Sequence, residues 1–132
     1  MTPPHPFAAL LGFTVSAPRN GASESLLTIG AAHLNPHGVA HGAVLYALAD
    51  TGMGAAVVPT LSAGEMCATI QITMHYFKPV APGSEVSCRT ELVNRGRRVA
   101  HLESRLSVGA QLVATAAGSY AIFTPGGADQ KP

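Results

Sequence analysis

The chain has 132 residues, the size of one domain, and a chain of this length buries roughly 68% of the surface its unfolded form exposes, so one ordinary hydrophobic core suffices. Eight Lys and Arg stand against seven Asp and Glu, and charged residues make up 11% of the chain against 47% apolar ones. That balance excludes both the clustered basic excess of a nucleic-acid binder and the polar bias of a disordered chain. So few charges on so small a domain also predict that part of its surface is covered by self-association.

The start of the chain, MTPPHPFAALLG, lacks the basic opening and long apolar stretch of a secretory signal, and Cys67 and Cys88 have no C-x-x-C spacing. A reduced cytoplasm is the expected location. Residues 1–132 read as a single domain, with 1–24 as an N-terminal extension and 126–132 as a flexible tail. Phe7–Phe13 predicts a short amphipathic helical piece, Pro18–Ser23 a loop, and Ser25–Ala31 a first strand. Asn35, Pro36, His37 and Gly38 make a turn-rich loop. One long helix follows over Gly42–Val58, ended by Pro59. It is apolar on nearly every side, which predicts burial on every side. A membrane span is disfavoured, because Asp50 at its centre costs about 2.5 to 3.5 kcal/mol to insert.

Four strand-length segments come next, at Met66–Phe77, Ser84–Asn94, Arg97–Val108 and Gln111–Phe123. In the first, Thr69, Gln71, Thr73 and His75 alternate with Ala68, Ile70, Ile72, Met74 and Tyr76, a period of two that sets one group against a core. The short turn-like connections predict antiparallel neighbours, at least for the last three strands. The expected architecture is α+β: one long central helix wrapped by a curved antiparallel meander, with open sheet edges and an incompletely covered helix that a symmetric partner can hide.

Asp50 is the most informative residue. No Lys or Arg occurs between Arg19 and Lys78, so no nearby cation in the sequence neutralises it. A carboxylate in an apolar helix is costly unless paired, solvated or protonated. It reads either as a structural carboxylate held by amides, waters or a distant arginine, or as a general base or nucleophile in a partly dry pocket. The favoured reading is the second. The helix start, N-P-H-G-V-A-H-G-A, offers uncovered amides that stabilise negative charge. Asp50 lies eight residues beyond Gly42, about 12 Å along one helix, whereas both groups must come within roughly 3 Å of one reacting carbonyl. Two antiparallel copies of the helix across a twofold axis bring Asp50 of one chain near Gly42 of the other, giving two equivalent sites per dimer.

Asn35 to Asp50, N-P-H-G-V-A-H-G-A-V-L-Y-A-L-A-D, resembles the Asn, Gly, His-Gly-Gly and Asp signature of hotdog-fold acyl-CoA thioesterases of the phenylacetate-pathway (PaaI-like) group. T-I-Q-I-T-M-H-Y-F-K-P-V-A-P-G, V-N-R-G-R-R-V-A-H-L and A-T-A-A-G-S-Y are similar to that family too, so the resemblance runs from Ser25 to Phe123. It implies a hotdog fold in which Asp50 activates water or attacks the thioester, and the Gly42 amide polarises the carbonyl. It further implies that Asn35 positions water or Asp50, His41 orients the loop or touches the thioester, and Thr69 assists the water. Ala43 replaces the second glycine of His-Gly-Gly; its amide survives, but its methyl group narrows the approach of the acyl chain.

The implied reaction hydrolyses an acyl- or aryl-CoA thioester without cofactor or metal, in a homodimer at minimum and, on the resemblance, a homotetramer. Arg95, Arg97 and Arg98 form the only basic cluster available to the coenzyme A phosphates. His33, His37 and His41 recur every four residues, but Asn35, Pro36 and Gly38 break the helix that metal ligation on one face requires. Cys67 and Cys88 read as small apolar residues, and His75 and His101 as strand-face residues. Two other functions fit the same pattern: a hotdog enoyl-thioester hydratase or dehydratase, and a non-catalytic acyl-CoA binding module.

Overall fold

The computed structural model describes residues 3–16 and 19–126; the tail beyond Gly126 and the first part of the expected Pro18–Ser23 loop lie outside the described residues. Helix α1 spans Pro6–Leu11. The His5 ring accepts the Ala8 amide at its start, Pro6 occupies the first turn, and Gly12, at φ +88°, closes its end in the left-handed conformation. The helix stops two residues short of the expected Phe13, because Gly12 turns the chain. That turn sends the Phe13 ring into the core, where it is fully buried.

Among the described residues six strands form one antiparallel sheet: β1 (Thr14–Val15), β2 (Ala22–Thr28), β3 (Met66–Tyr76), β4 (Glu85–Arg95), β5 (Val99–Val108) and β6 (Gln111–Phe123), in the order β1-β2-β4-β5-β6-β3. The last three strands are the expected hairpin neighbours. The meander is interrupted, however. β3 does not pair with β4, whose free side is taken by β2; it crosses to the far edge and pairs with β6. β2 begins three residues earlier than the sequence suggests, and Ala31 opens a single 3-10 turn instead of ending a strand.

Helix α2 runs over Gly42–Val57 and gives way at Pro59 to a 3-10 turn over Val58–Thr60. Its buried side chains, Val44, Leu45, Leu48, Ala49, Met53, Ala56 and Val57, join Leu27, Val86, Leu102, Leu106 and Val113 in one core inside the curl of the sheet. By length and composition alone Gly42–Thr60 would reach across a membrane, but this packing identifies it as the core helix of the fold. Burial on every side is not observed: Ala43, Tyr46 and Val58 are exposed, and Asp50 and Gly54 half-buried. A single curved sheet reaches round only part of a helix.

Beneath α2 lies a layer of hydroxyls, buried at Ser25, Thr90 and Ser104 and half-buried at Ser23. Ser23 donates to the Gly52 carbonyl at 2.6 Å, Ser25 to the Leu48 carbonyl at 3.2 Å, and Thr90 shares a 2.7 Å hydrogen bond with Ser104. A Cβ on Gly52 would come within 2.9 Å of Thr90 Oγ1, so glycine permits this close approach of helix to sheet. The two serine bonds set the rotation of α2. At about 100° per residue, Asp50 points away from the side that carries the Leu48 and Gly52 carbonyls, toward the opposite end of the sheet, where β3 and β6 lie.

Candidate active site

The N-terminal tip of α2 is built by hydrogen bonds from three directions. His41 takes the N-cap position, its Nδ1 accepting the Ala43 amide at 3.0 Å and its carbonyl accepting the Val44 amide at 2.9 Å. With Nδ1 an acceptor, the neutral ring carries its proton on Nε2. The Ala43 amide is therefore engaged within the tip, whereas the Gly42 amide has no partner among the described residues.

Asn35 organises the loop before the tip. Its Oδ1 accepts the amides of His37 at 2.8 Å and Val39 at 3.3 Å, and its own amide donates to the Val39 carbonyl. Gly38 turns the chain at φ +80°. The Ala40 amide donates to the Val80 carbonyl and the His41 amide to that of the buried His33, anchoring the loop to the body. His33 in turn accepts the Gly30 amide at Nδ1 and donates through Nε2 to the Leu11 carbonyl, which explains one member of the four-residue histidine recurrence as structural. Asn35, Gly42, Leu45 and Tyr76 share the walls of an open hollow of 310 Å³.

Asp50 lies two turns further along α2 and is not a wall of that hollow. Its Oδ1 accepts Thr69 Oγ1 at 2.7 Å and also the hydroxyl of Tyr120, which lies 2.6 Å from the Asp50 carbonyl as well. Hydroxyls hold the carboxylate in place of a cation, and Oδ2 has no partner among the described residues. Burial first, and the hydrogen bond to Asp50 second, push the Tyr120 phenol up, so it is a donor throughout the working pH range.

The sequence reading missed Tyr120, and its alternation grouped Thr69 with the wrong residues. A β-bulge between Thr69 and Gln71 adds Ile70 to β3, so the two flanking residues point to opposite faces. Thr69 pairs with Tyr120 and faces α2. Gln71, Thr73 and His75 face outward, while Tyr76 returns to α2 and its hydroxyl donates to the Gly42 carbonyl. The buried Tyr120 at the end of A-T-A-A-G-S-Y carried the usable signal: a phenol on a core face needs an acceptor there.

The three arginines separate into two roles. Arg95 is largely used up within the protein: Nε donates to Thr60 Oγ1, Nη1 to the Gly96 carbonyl, and Nη2 meets Glu65 Oε1 at 3.1 Å. Arg97 and Arg98 are exposed on the rim of a groove also lined by Ser62, Phe123 and Thr124. Burial pushes the Cys88 thiol up to about 11 and raises that of the half-buried Cys67, so neither is primed as a nucleophile. Among the described residues no three His, Cys, Asp or Glu side chains gather as metal ligands.

Known proteins share the family and the fold. The profile of the Thioesterase superfamily matches residues 37–115, spanning Gly42, Asp50 and Thr69. The esterase-named protein PA0474 of Pseudomonas aeruginosa is 31% identical over 94 residues, 71% of this chain and 70% of that one. A single-residue variant of the phenylacetic acid degradation protein PaaI from Thermus thermophilus superposes with a TM-score of 0.83 at 32% identity, covering 89% of this chain and 98% of that one. Thioesterase HI1161 of Haemophilus influenzae shares the fold, with a TM-score of 0.84 at 23% identity over 92% of this chain and 85% of that one. With one long helix held in a curled antiparallel sheet and a family match across most of that core, the chain belongs to the hotdog-fold thioesterase superfamily.

Proposed function

We propose that the protein hydrolyses the thioester of an acyl- or aryl-CoA to a free acid and coenzyme A, in an active unit of two chains. The observation that carries this reading is the pairing of a half-buried carboxylate, free at Oδ2, with an unpartnered helix-tip amide at Gly42 on the same helix. They are about 12 Å apart in one chain, too far to act on one carbonyl. A second copy related by a twofold axis supplies the missing half to each site. The incompletely covered side of α2 and the open edge of β3, with Met66, Ile70, Tyr76 and Phe77 at least half exposed, are the surfaces such a copy would bury. Two of these dimers make the tetramer that the family resemblance implies.

The chemistry follows from the groups in hand. As water adds to the thioester carbonyl carbon, Asp50 Oδ2 takes its proton and the developing oxyanion rests on the Gly42 amide of the other chain. The C–S bond then breaks and the departing thiolate takes the proton back from Asp50. Direct attack uses the same atom: Oδ2 bonds to the carbonyl carbon as the C–S bond breaks and the coenzyme A thiolate leaves, and water then cleaves the mixed anhydride to the free acid and the Asp50 carboxylate, releasing the proton that the thiolate takes up. Asn35 and His41 hold the tip in shape, Thr69 steadies the carboxylate, and the Ala43 methyl group limits the acyl approach. Arg97 and Arg98 meet the coenzyme A phosphates from their exposed rim, with Arg95 bracing the turn beneath them. No metal or cofactor has a part in this scheme, and a reducing cytoplasm suits the two free thiols.

A thiol-release assay over a panel of acyl- and aryl-CoAs tests the proposal, the aryl members suggested by the phenylacetic acid relative. The parent releases thiol and D50N, still folded, does not. Hydration of an enoyl-CoA without thiol release, or ligand binding without turnover, would replace the hydrolase by one of the other two functions.

A further inference from the structure

We propose that Tyr120 is a positioning residue for the reaction: together with Thr69 it occupies Asp50 Oδ1, so that Oδ2 alone is left to meet water or substrate. The inference rests on the hydrolytic reading above and adds to it the residue that decides which carboxylate oxygen reacts.

Three observations support it. Tyr120 and Thr69 are direct cross-strand partners on β6 and β3, just before the bulge at Ile70, so the sheet presents both hydroxyls side by side toward α2. Tyr120 is 3% exposed, and the place a Cβ would take on Gly54, one turn beyond Asp50, lies 3.9 Å from its ring, so the phenol is wedged under the helix with little freedom. Its hydroxyl also lies against both the carboxylate and the main-chain carbonyl of the same residue, a geometry that fixes the Asp50 side chain relative to its own backbone. One O–H has one proton. A carboxylate is the stronger acceptor of the two, so the proton goes to Oδ1 and the carbonyl is a close neighbour.

A tyrosine buried for packing alone needs only the carbonyl as acceptor, and that difference can be measured. Proton NMR of the full-length parent, D50N and Y120F reads the hydroxyl directly. A phenol proton held by a carboxylate lies far downfield and exchanges slowly. It is expected in the parent, moves upfield in D50N and is missing in Y120F. In parallel, Y120F lowers kcat by about 10- to 100-fold with KM held within about twofold, the pattern of a reacting group out of place rather than a lost binding contact.

A parent that hydrolyses thioesters but shows no such proton overturns the proposal alone, as does a folded Y120F with unchanged kcat. If Y120F does not fold, the parent and D50N decide: a signal that stays put in D50N belongs to the carbonyl and overturns the proposal. A parent that turns over no thioester overturns the hydrolytic reading, and the proposal with it.

Discussion

The Tyr76 hydroxyl donates to the Gly42 carbonyl at 2.7 Å, fastening the first turn of α2 to the end of β3. The same ring stands 3.1 Å from the place a Gly42 Cβ would occupy. Glycine at this position thus suits a neighbour's packing, and the side chain that crowds it also orients the peptide next to the amide proposed as the oxyanion site.

Gly42→Ala separates stability from activity. The methyl group pushes the Tyr76 ring outward by a few tenths of an ångström and loosens its hydrogen bond, while alanine at this first helical position recovers a part of the roughly 1 kcal/mol by which it outranks glycine inside a helix. The two effects offset in folding but not at the tip. We expect kcat to fall by about tenfold while the urea midpoint stays close to that of the parent; activity assays and chemical denaturation on the same preparation check both halves.

The arginines divide in the same manner. R95A removes a partly buried guanidinium that ties the Val58–Thr60 turn and Glu65 to the end of β4, so the thermal midpoint falls. R97A and R98A leave the midpoint in place. Each raises KM for a coenzyme A thioester by about two- to fivefold at low salt, the range of an exposed charge pair, and the effect fades as salt is added. Thermal melts and Michaelis curves at two ionic strengths distinguish the two kinds of residue.

Features that depend on local pattern could be read from the sequence. The stop of α2 at Pro59 and the three hairpin strands β4 to β6 follow from punctuation and short connections. Asp50 stood out because a lone charge on an apolar helix demands an explanation. The position of β3 could not be read that way, since its pairing with β6 joins residues about fifty positions apart and depends on how the whole sheet curls. Thr69 entered through family resemblance, because the one-residue bulge that turns it toward α2 leaves no trace in a simple alternation. Tyr120 was lost for a related reason: in a strand of small residues it reads as one more core side chain until the position of its hydroxyl is known.

The account turns on each site being shared between chains, and subunit mixing tests that directly. D50N removes the carboxylate, and G42P removes the tip amide at the first helical position, where the backbone accepts proline and the end of the Tyr76 side chain has to give way to the ring; each is expected to be inactive alone. Unfolded together in equal amounts and refolded, half of the dimers carry one of each chain, and every mixed dimer has one site with both defects and one with neither. The mixture should regain about a quarter of the parental thiol release. Activity that never rises above that of the two separate variants, with mixed dimers demonstrated by differently tagged chains, would place both groups in one subunit and contradict the account.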